Sequence, residues 1–370
     1  MSVRSVHVEL GTRGYPIRIG PGLIDRAGAE LGPIVGAAQA VVVSDTNLAR
    51  AGWAERLVRA LDEGGIAART VLVAPGEGSK SWAGLEQVVA GILDGGADRR
   101  TVVVALGGGV IGDLAGFAAA ITLRGLRLVQ VPTSLLAQVD SSVGGKTGIN
   151  APAGKNLIGA FHQPVAVLAD TDALATLPPR EIRSGYAEIA KHGLLADERF
   201  FAWLERHGPA LVEGDVEARI HAVVRCCEIK AAVVAADEFE TTGRRATLNL
   251  GHTFAHAYEA LTGYSDRLLH GEAVALGLVQ ATELSVRMGL LPAGSTARVR
   301  AHLEACGLAT DPARVEPAGF PADAVLAAMA KDKKAVAGRL AFVLLRRLGE
   351  AFLSREVPEP LVRELLDAPA

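Results

Sequence analysis

Apolar residues follow two rhythms along this chain, and the change from one to the other divides it. Up to about residue 180, short Val-rich runs recur: AVVVSD (40–45), RTVLVAPG (69–76), TVVVALGGG (101–109) and LRLVQVP (126–132). Continuous apolar runs of this length read as strands buried on both faces, and so as a parallel sheet. The opening MSVRSVHVEL alternates as a strand does. Helical patterns lie between the runs, such as SWAGLEQVVAGILDGG (81–96), where Gly-Gly is a stop signal. This half reads as a doubly wound α/β domain with a mainly parallel sheet.

Beyond residue 181 the strand signals nearly vanish. REIRSGYAEIAKHGLLA, EARIHAVVRCCEIKAAVVAAD, GHTFAHAYEALTG, GEAVALGLVQATELSVRMG and TARVRAHLEACG all space apolar residues as helices do. The second half is therefore expected to be all-α, with LAFVLLRRLG (340–349) as a candidate strand or hairpin edge within it. LPPRE (177–181) marks the boundary, giving domains 1–180 and 181–370.

Composition narrows the class. The chain is 49% hydrophobic but only 4% aromatic, so its core must be built from Ala, Val, Leu and Ile, as in many α/β enzymes. Net charge is −3 with no basic block, which argues against a nucleic-acid partner. Cys226, Cys227 and Cys306 are odd in number and two are adjacent. They make no disulfide framework, and a reducing cytoplasm is expected. The N-terminus has no apolar core of the kind a signal peptide needs. Residues 102–123 are long enough to span a bilayer, but their glycines and Asp113 favour a buried strand, turn and helix. No membrane association is expected.

GGGVIGD (107–113) follows an expected strand and opens an expected helix, and Gly107, Gly109 and Gly112 satisfy G-x-G-x-x-G. Such glycines let backbone approach a pyrophosphate at a helix N-terminus. The acid usually found about 20 residues on is missing, while Asp45 in SDTN ends an earlier strand. A Gly-rich turn serving only helix–sheet packing is the alternative. Gly145-Lys146-Thr147 imitates a phosphate loop, but Asp140 stands where that motif needs glycine. Lys146, Lys155 and Asn156 still lie in a Gly/Ser/Asn-rich loop suited to an anionic small molecule.

NLGHTFAHAYE (249–259) puts His252 and His256 four apart on one helix face. The zinc-protease pattern wants Glu after the first His, where this chain has Thr253. His252, His270 in LLHGEA and Glu188 in SGYAEIAKHG are candidates for a three-ligand metal site, with Lys191 one turn from Glu188. Each is also an ordinary helix residue when taken singly. A dinucleotide loop together with such a metal suggests alcohol oxidation.

These stretches, with PGEGSKS (75–81), VPTSLLAQVDSSVGGKTGINAPAGKNLIGAFHQP (131–164), IKAAVVAADE (229–238), RATLNLGHTFAHAYE (245–259) and DKK (332–334), resemble the 3-dehydroquinate synthases, a family of sugar phosphate cyclases. About two-thirds of the chain lies in or between the matching blocks. The resemblance implies a Rossmann-like N-terminal domain, a helical C-terminal domain, a site in the cleft between them, and a homodimer. It implies conversion of 3-deoxy-D-arabino-heptulosonate 7-phosphate to 3-dehydroquinate and phosphate, with NAD and Zn²⁺ or Co²⁺. Transient oxidation at C5 acidifies the C6 proton, phosphate is eliminated, C5 is reduced again, and an aldol step closes the ring. The substrate's own phosphate can serve as the base.

Carried onto this chain, the resemblance makes Glu188, His252 and His270 the metal ligands. It assigns NAD to Asp45, Asn47, Glu77, Lys80, Gly108, Gly109, Val110, Asp113, Thr133, Ser134 and Thr176, with Lys146 and Lys155 also at the cofactor. Lys230 and Arg245 would hold the substrate carboxylate. Lys146, Asn156, Asn249, His256 and Lys333 or Lys334 would hold its phosphate, with Arg124 reaching across a dimer. Asp140 and Lys191 would meet the ring hydroxyls. An amino-dehydroquinate synthase, another sugar phosphate cyclase and a metal-dependent polyol dehydrogenase are the rival enzymes, and a non-catalytic nucleotide-binding protein is the rival from another class.

Overall fold

A computed structural model describes residues 3–36, 39–331 and 340–368. Two compact units are present: Met1–Pro178 with Arg219–Ala235, and Pro179–Ala218 with Ala236–Ala370. A division at 180 alone leaves out the return of Arg219–Ala235 to the first unit. That return falls inside one unbroken helix, Val216–Ala236, whose pattern carries no break to announce it.

The strands of the first unit are β1 (Arg4–Val8), β2 (Tyr15–Gly20), β3 (Gln39–Asp45), β4 (Ala67–Val73), β5 (Val102–Gly107), β6 (Arg127–Pro132), β7 (Lys146–Ala151), β8 (Gly154–Phe161) and β9 (Ala166–Asp170). Seven of them form one sheet in the order β1-β2-β9-β6-β5-β3-β4. All neighbours run parallel except β1 and β2. The Val-rich runs became its central strands because both faces are covered. Val42, Val104 and Val129 pack with Leu31, Leu57 and Leu61 on one side. Val41, Val103 and Leu128 pack with Leu85, Val88 and Leu114 on the other.

Helix Trp82–Asp94 begins at Ser81, whose hydroxyl accepts from Gly84 N, and stops at Gly95. From β3 the chain turns outward to β4, then returns to β5 and goes on to β6. The sheet order therefore reverses between β3 and β5, and ligands of such sheets sit at the strand carboxyl ends near that point. Asp45 ends β3, and Gly107 ends β5.

VGGKTGINAPAGKN is not the open loop its composition suggests. It pairs as an antiparallel ribbon, β7 with β8, in which Gly148 faces Gly159. A Cβ on Gly159 would stand 2.0 Å from the Thr147 carbonyl oxygen, so glycine permits the close approach of the strands. The ribbon packs on helix Gly109–Ile121.

The second unit is helical, and the expected helices form as Pro179–Ala196, His252–Leu261, His270–Arg287 and Ser295–Ala305. It is not all-α. The run at 340–349 contributes to a hairpin of β10 (Phe342–Arg347) and β11 (Glu350–Ser354) packed on helix His270–Arg287. Helix Glu198–Glu213 completes the packing against Pro179–Ala196. Among the described residues no helix is long and apolar enough to cross a membrane. The three cysteines are free thiols, all buried.

Candidate active-site residues

In the first unit the Gly-rich turn serves two purposes. Gly112 lies against Gln130 of β6, where a Cβ would come 2.9 Å from the side-chain amide oxygen and press on it across the helix–sheet contact. Gly108 caps helix Gly109–Ile121, and a Cβ on Gly108 or Gly109 would sit tightly against the hydroxyl of Ser134 (3.3 Å) or Ser141 (3.1 Å). Helix-terminal N–H groups and a positive dipole end are thus presented beside Val110, Thr133 and Ser134.

Lys80 organises the adjoining polar cluster. It is only 4% exposed, and its Nζ donates to Asp113 Oδ2 at 2.6 Å and to Asn156 Oδ1, with Glu77 Oε1 at 3.8 Å. Asn150 Nδ2 donates to Glu77 Oε1 at 2.8 Å, and the Asn150 side-chain oxygen accepts from Asn156 N. Asn156 adopts φ +55°, a left-handed conformation that Asn tolerates better than most residues. Burial raises the Asp113 carboxyl above its ordinary range, against the pull of Lys80. A depression of about 430 Å³ opens beside Glu77, Lys80, Trp82 and Asn150. Asp45 uses Oδ1 to cap its own helix through Asn47 N and Leu48 N. Thr176 accepts from the Trp53 indole at 3.0 Å. Lys146 is exposed at the start of β7, and Lys155 lies near the start of β8.

Asp140 sits on a single wide π turn, Ala137–Ser141, a form that tends to occur at functional sites. Lys230 Nζ donates to both its backbone oxygen, at 2.6 Å, and its carboxylate. Arg124 is exposed and held at φ +66°, directly after Leu123 at φ +50°. Two successive non-glycine residues in that region store backbone strain.

In the second unit, Glu188, His252 and His270 place their ligand atoms within 4.8 Å of one another. His252 Nε2 is 3.7 Å and His270 Nε2 is 3.2 Å from Glu188 Oε1. Metal bonds of about 2.0–2.2 Å at tetrahedral angles set donors roughly 3.3–3.6 Å apart, so a small divalent ion fits this set. The other ring nitrogens are committed. His252 Nδ1 meets the Leu250 carbonyl oxygen at 3.2 Å, and His270 Nδ1 meets Glu259 Oε2 at 3.3 Å. Both partners accept, which places a proton on each Nδ1 and leaves each Nε2 as the ligand atom, its lone pair freed for the same point when a metal displaces any proton there.

Glycines let the three helices converge. A Cβ on Gly277 would lie 2.1 Å from the Gly251 oxygen, bringing the helix of His252 against the helix of His270. Burial lowers the proton affinity of His270, but Glu188 and Glu259 outweigh it and push its pKa up to about 10. Lys191 Nζ pairs with Glu188 Oε2, both side chains 1% exposed. The His256 ring lies 5.4 Å from that of His252 and 6.5 Å from that of His270, beside the ligand set. Arg245 and Asn249 share one short helix. Arg245 is 2% exposed, its guanidinium donating to the Glu238 carbonyl oxygen and its backbone N–H to Asp237.

Residues 70–184 match the family described as 3-dehydroquinate synthase N-terminal, and residues 185–335 match 3-dehydroquinate synthase C-terminal. A 3-dehydroquinate synthase of Cereibacter sphaeroides is 55% identical over 368 residues, 99% of this chain and 98% of the relative. The chain belongs to the 3-dehydroquinate synthase family. A 3-dehydroquinate synthase of Ruegeria pomeroyi is 54% identical over 366 residues, again 99% of this chain and 98% of the relative. Among solved structures, a 2-epi-5-epi-valiolone synthase from Streptomyces hygroscopicus with NAD⁺ and Zn²⁺ bound superposes with a TM-score of 0.84 at 28% identity, covering 95% of each chain.

Within each unit the structure gathers several of the residues that resemblance to 3-dehydroquinate synthases selected. Glu77, Lys80, Asp113 and Asn156 form one bonded cluster, and Lys230 joins Asp140. Glu188, Lys191, His252, His256 and His270 form another. Lys333 and Lys334 lie outside the described residues. Sequence reasoning missed Asn150, Asp237 and Glu259, which hold other site residues in place. Glu259 had a signal, standing seven residues after His252 and so on the same helix face.

Proposed function

We propose that this chain converts 3-deoxy-D-arabino-heptulosonate 7-phosphate to 3-dehydroquinate and inorganic phosphate, using NAD and a divalent metal, Zn²⁺ or Co²⁺. The observation that carries the reading is identity of 54–55% to 3-dehydroquinate synthases across 99% of the chain. When bound, NAD accepts and returns a hydride, and the metal polarises the alcohol oxygen.

The chain's own residues hold and orient. Glu188, His252 and His270 are the residues that would hold the metal. The Gly108–Val110 turn, Thr133, Ser134, Asp113 and Lys80 would take NAD, with Asp45, Asn47 and Glu77 at its ribose, Thr176 nearby, and Lys146 and Lys155 as cations. Lys230 and Arg245 are assigned to the substrate carboxylate, and Asp140 and Lys191 to its hydroxyls. Lys146, Asn156, Asn249 and His256 are assigned to the phosphate, whose departing charge such donors stabilise without reorganising. The buried, backbone-anchored setting of Arg245 supports its role, because a guanidinium fixed in advance loses little freedom on binding a carboxylate. The reading extends to a cytoplasmic homodimer in which exposed Arg124 serves the second copy.

Phosphate release from 3-deoxy-D-arabino-heptulosonate 7-phosphate tests this, with and without NAD, and before and after chelation and metal add-back. Release that needs both, without net NADH, is expected. Net NADH from simple polyols with no phosphate released would overturn it in favour of a dehydrogenase. Release only from the amino analogue would move the substrate assignment.

A further inference from the structure

One carboxylate near the metal ligands has no role in the reaction as assigned. The side chain of Glu259 is 4% exposed, on the same helix as His252 and two turns further along. A buried carboxylate is unfavourable unless a partner compensates it. Its Oε2 stands 3.3 Å from His270 Nδ1, the ring nitrogen turned away from Glu188. The Glu259 backbone is fixed as well, its carbonyl oxygen accepting from Tyr264 N at 2.7 Å where the helix ends.

We propose that Glu259 is a positioning residue for the metal centre: it fixes the His270 ring by its Nδ1–H and strengthens Nε2 as a donor. This rests on the reading that Glu188, His252 and His270 hold a divalent metal. One helix then supplies a ligand, His252, and also orients the ligand contributed by the next helix. Outer carboxylates of this kind fix the tautomer, keep the ring from turning and raise its basicity, and losing one costs about 10–100-fold in metal affinity.

The test is metal affinity of the full-length apo-protein, by chelator competition with Zn²⁺ and Co²⁺, together with the visible spectrum of the Co²⁺ form. Glu259→Gln keeps an acceptor but loses the charge, and is expected to bind about 10-fold more weakly with a shifted Co²⁺ band. Glu259→Leu removes both and is expected to lose about 100-fold. Should the Leu variant fail to fold, the near-isosteric Gln variant decides. A purely structural role would lower the melting temperature of the Gln variant while leaving the Co²⁺ band in place, and would overturn the proposal. Wild-type affinity and an unmoved band in Glu259→Gln would overturn this inference alone. Wild-type protein that binds no metal, or Glu188→Gln binding as well as wild type, would bring down the metal-centre reading itself and this inference with it.

Discussion

A methyl group on Gly271 would stand 1.8 Å from the carbonyl oxygen of Ser184. The first turn of the helix bearing His270 therefore lies backbone-to-backbone on the helix bearing Glu188. Neither backbone can swing aside as a flexible side chain would. Gly271→Ala is expected to destabilise by at least the roughly 1–3 kcal/mol of an overpacked core and to weaken Zn²⁺ binding by displacing His270. Gly294→Ala, at φ −79° with nothing within 4 Å of the added carbon, is expected to be neutral within about 0.5 kcal/mol. Urea midpoints and metal titrations of the two variants check this, and identical behaviour would refute it.

Glu188 has a second task besides ligation, because it neutralises the buried Lys191 ammonium. Glu188→Gln in the metal-free protein should cost about 3–5 kcal/mol, the penalty for leaving one member of a buried pair. Glu188→Gln combined with Lys191→Met should recover most of that stability and none of the metal binding. Denaturant unfolding of the apo-proteins separates the two effects. A double variant no more stable than the single one would show that the pair is not where the loss arises.

Lys80 plays the equivalent part among the acids of the first unit. Lys80→Met leaves Asp113 and Glu77 facing one another without their shared cation. Asp113, already raised by burial, should rise further once the lowering effect of Lys80 is gone. The expected results are a loss of about 3 kcal/mol in stability and a fall in NAD affinity that is steeper at high pH, where both acids are charged. Cofactor titration at several pH values reads this directly. A pH-independent loss would count against the electrostatic account.

Stability should fall in acid in two stages. His302 is buried and neutral, hydrogen-bonded to the Tyr186 hydroxyl at 2.9 Å, and burial lowers its pKa from 6.5 to about 4. Its folded pKa lies below the unfolded one, so its stabilising effect is complete above about pH 6.5. That effect is lost as pH falls toward 4, on the order of 3 kcal/mol in all. Asp237 follows. The backbone N–H of Arg245, then those of Thr242 and Thr241, hold its carboxyl below the ordinary 3.8, so its contribution disappears only below that value. His302→Gln should flatten the slope between pH 6.5 and 4 and leave the lower limb intact, as urea midpoints against pH would record.

The parallel sheet was legible because β3, β5 and β6 are buried on both faces and so are written as unbroken Val-rich runs. The ribbon β7–β8 was hidden because its stability comes from paired glycines and a neighbouring helix, which leave no apolar alternation. Residue type and spacing made Glu188, His252 and His270 candidate ligands, and resemblance singled them out, since each residue alone is an ordinary helix residue. What no local pattern carried is the support: Asn150 on Glu77, Asp237 on Arg245, Glu259 on His270. Such contacts are set by how distant segments pack, and only folding brings them together.

The helical stretch Arg219–Ala235, which carries Lys230, belongs to the first unit although residues on both sides of it belong to the second. Order of synthesis and order of assembly therefore differ. A ribosome that has released residue 178 has delivered the whole sheet but not the lysine that grips Asp140. The first unit stays incomplete until part of the second has been made. Fragments cut at the Pro-Pro boundary would divide the gene neatly and the protein badly, with Asp140 on one piece and its cation on the other.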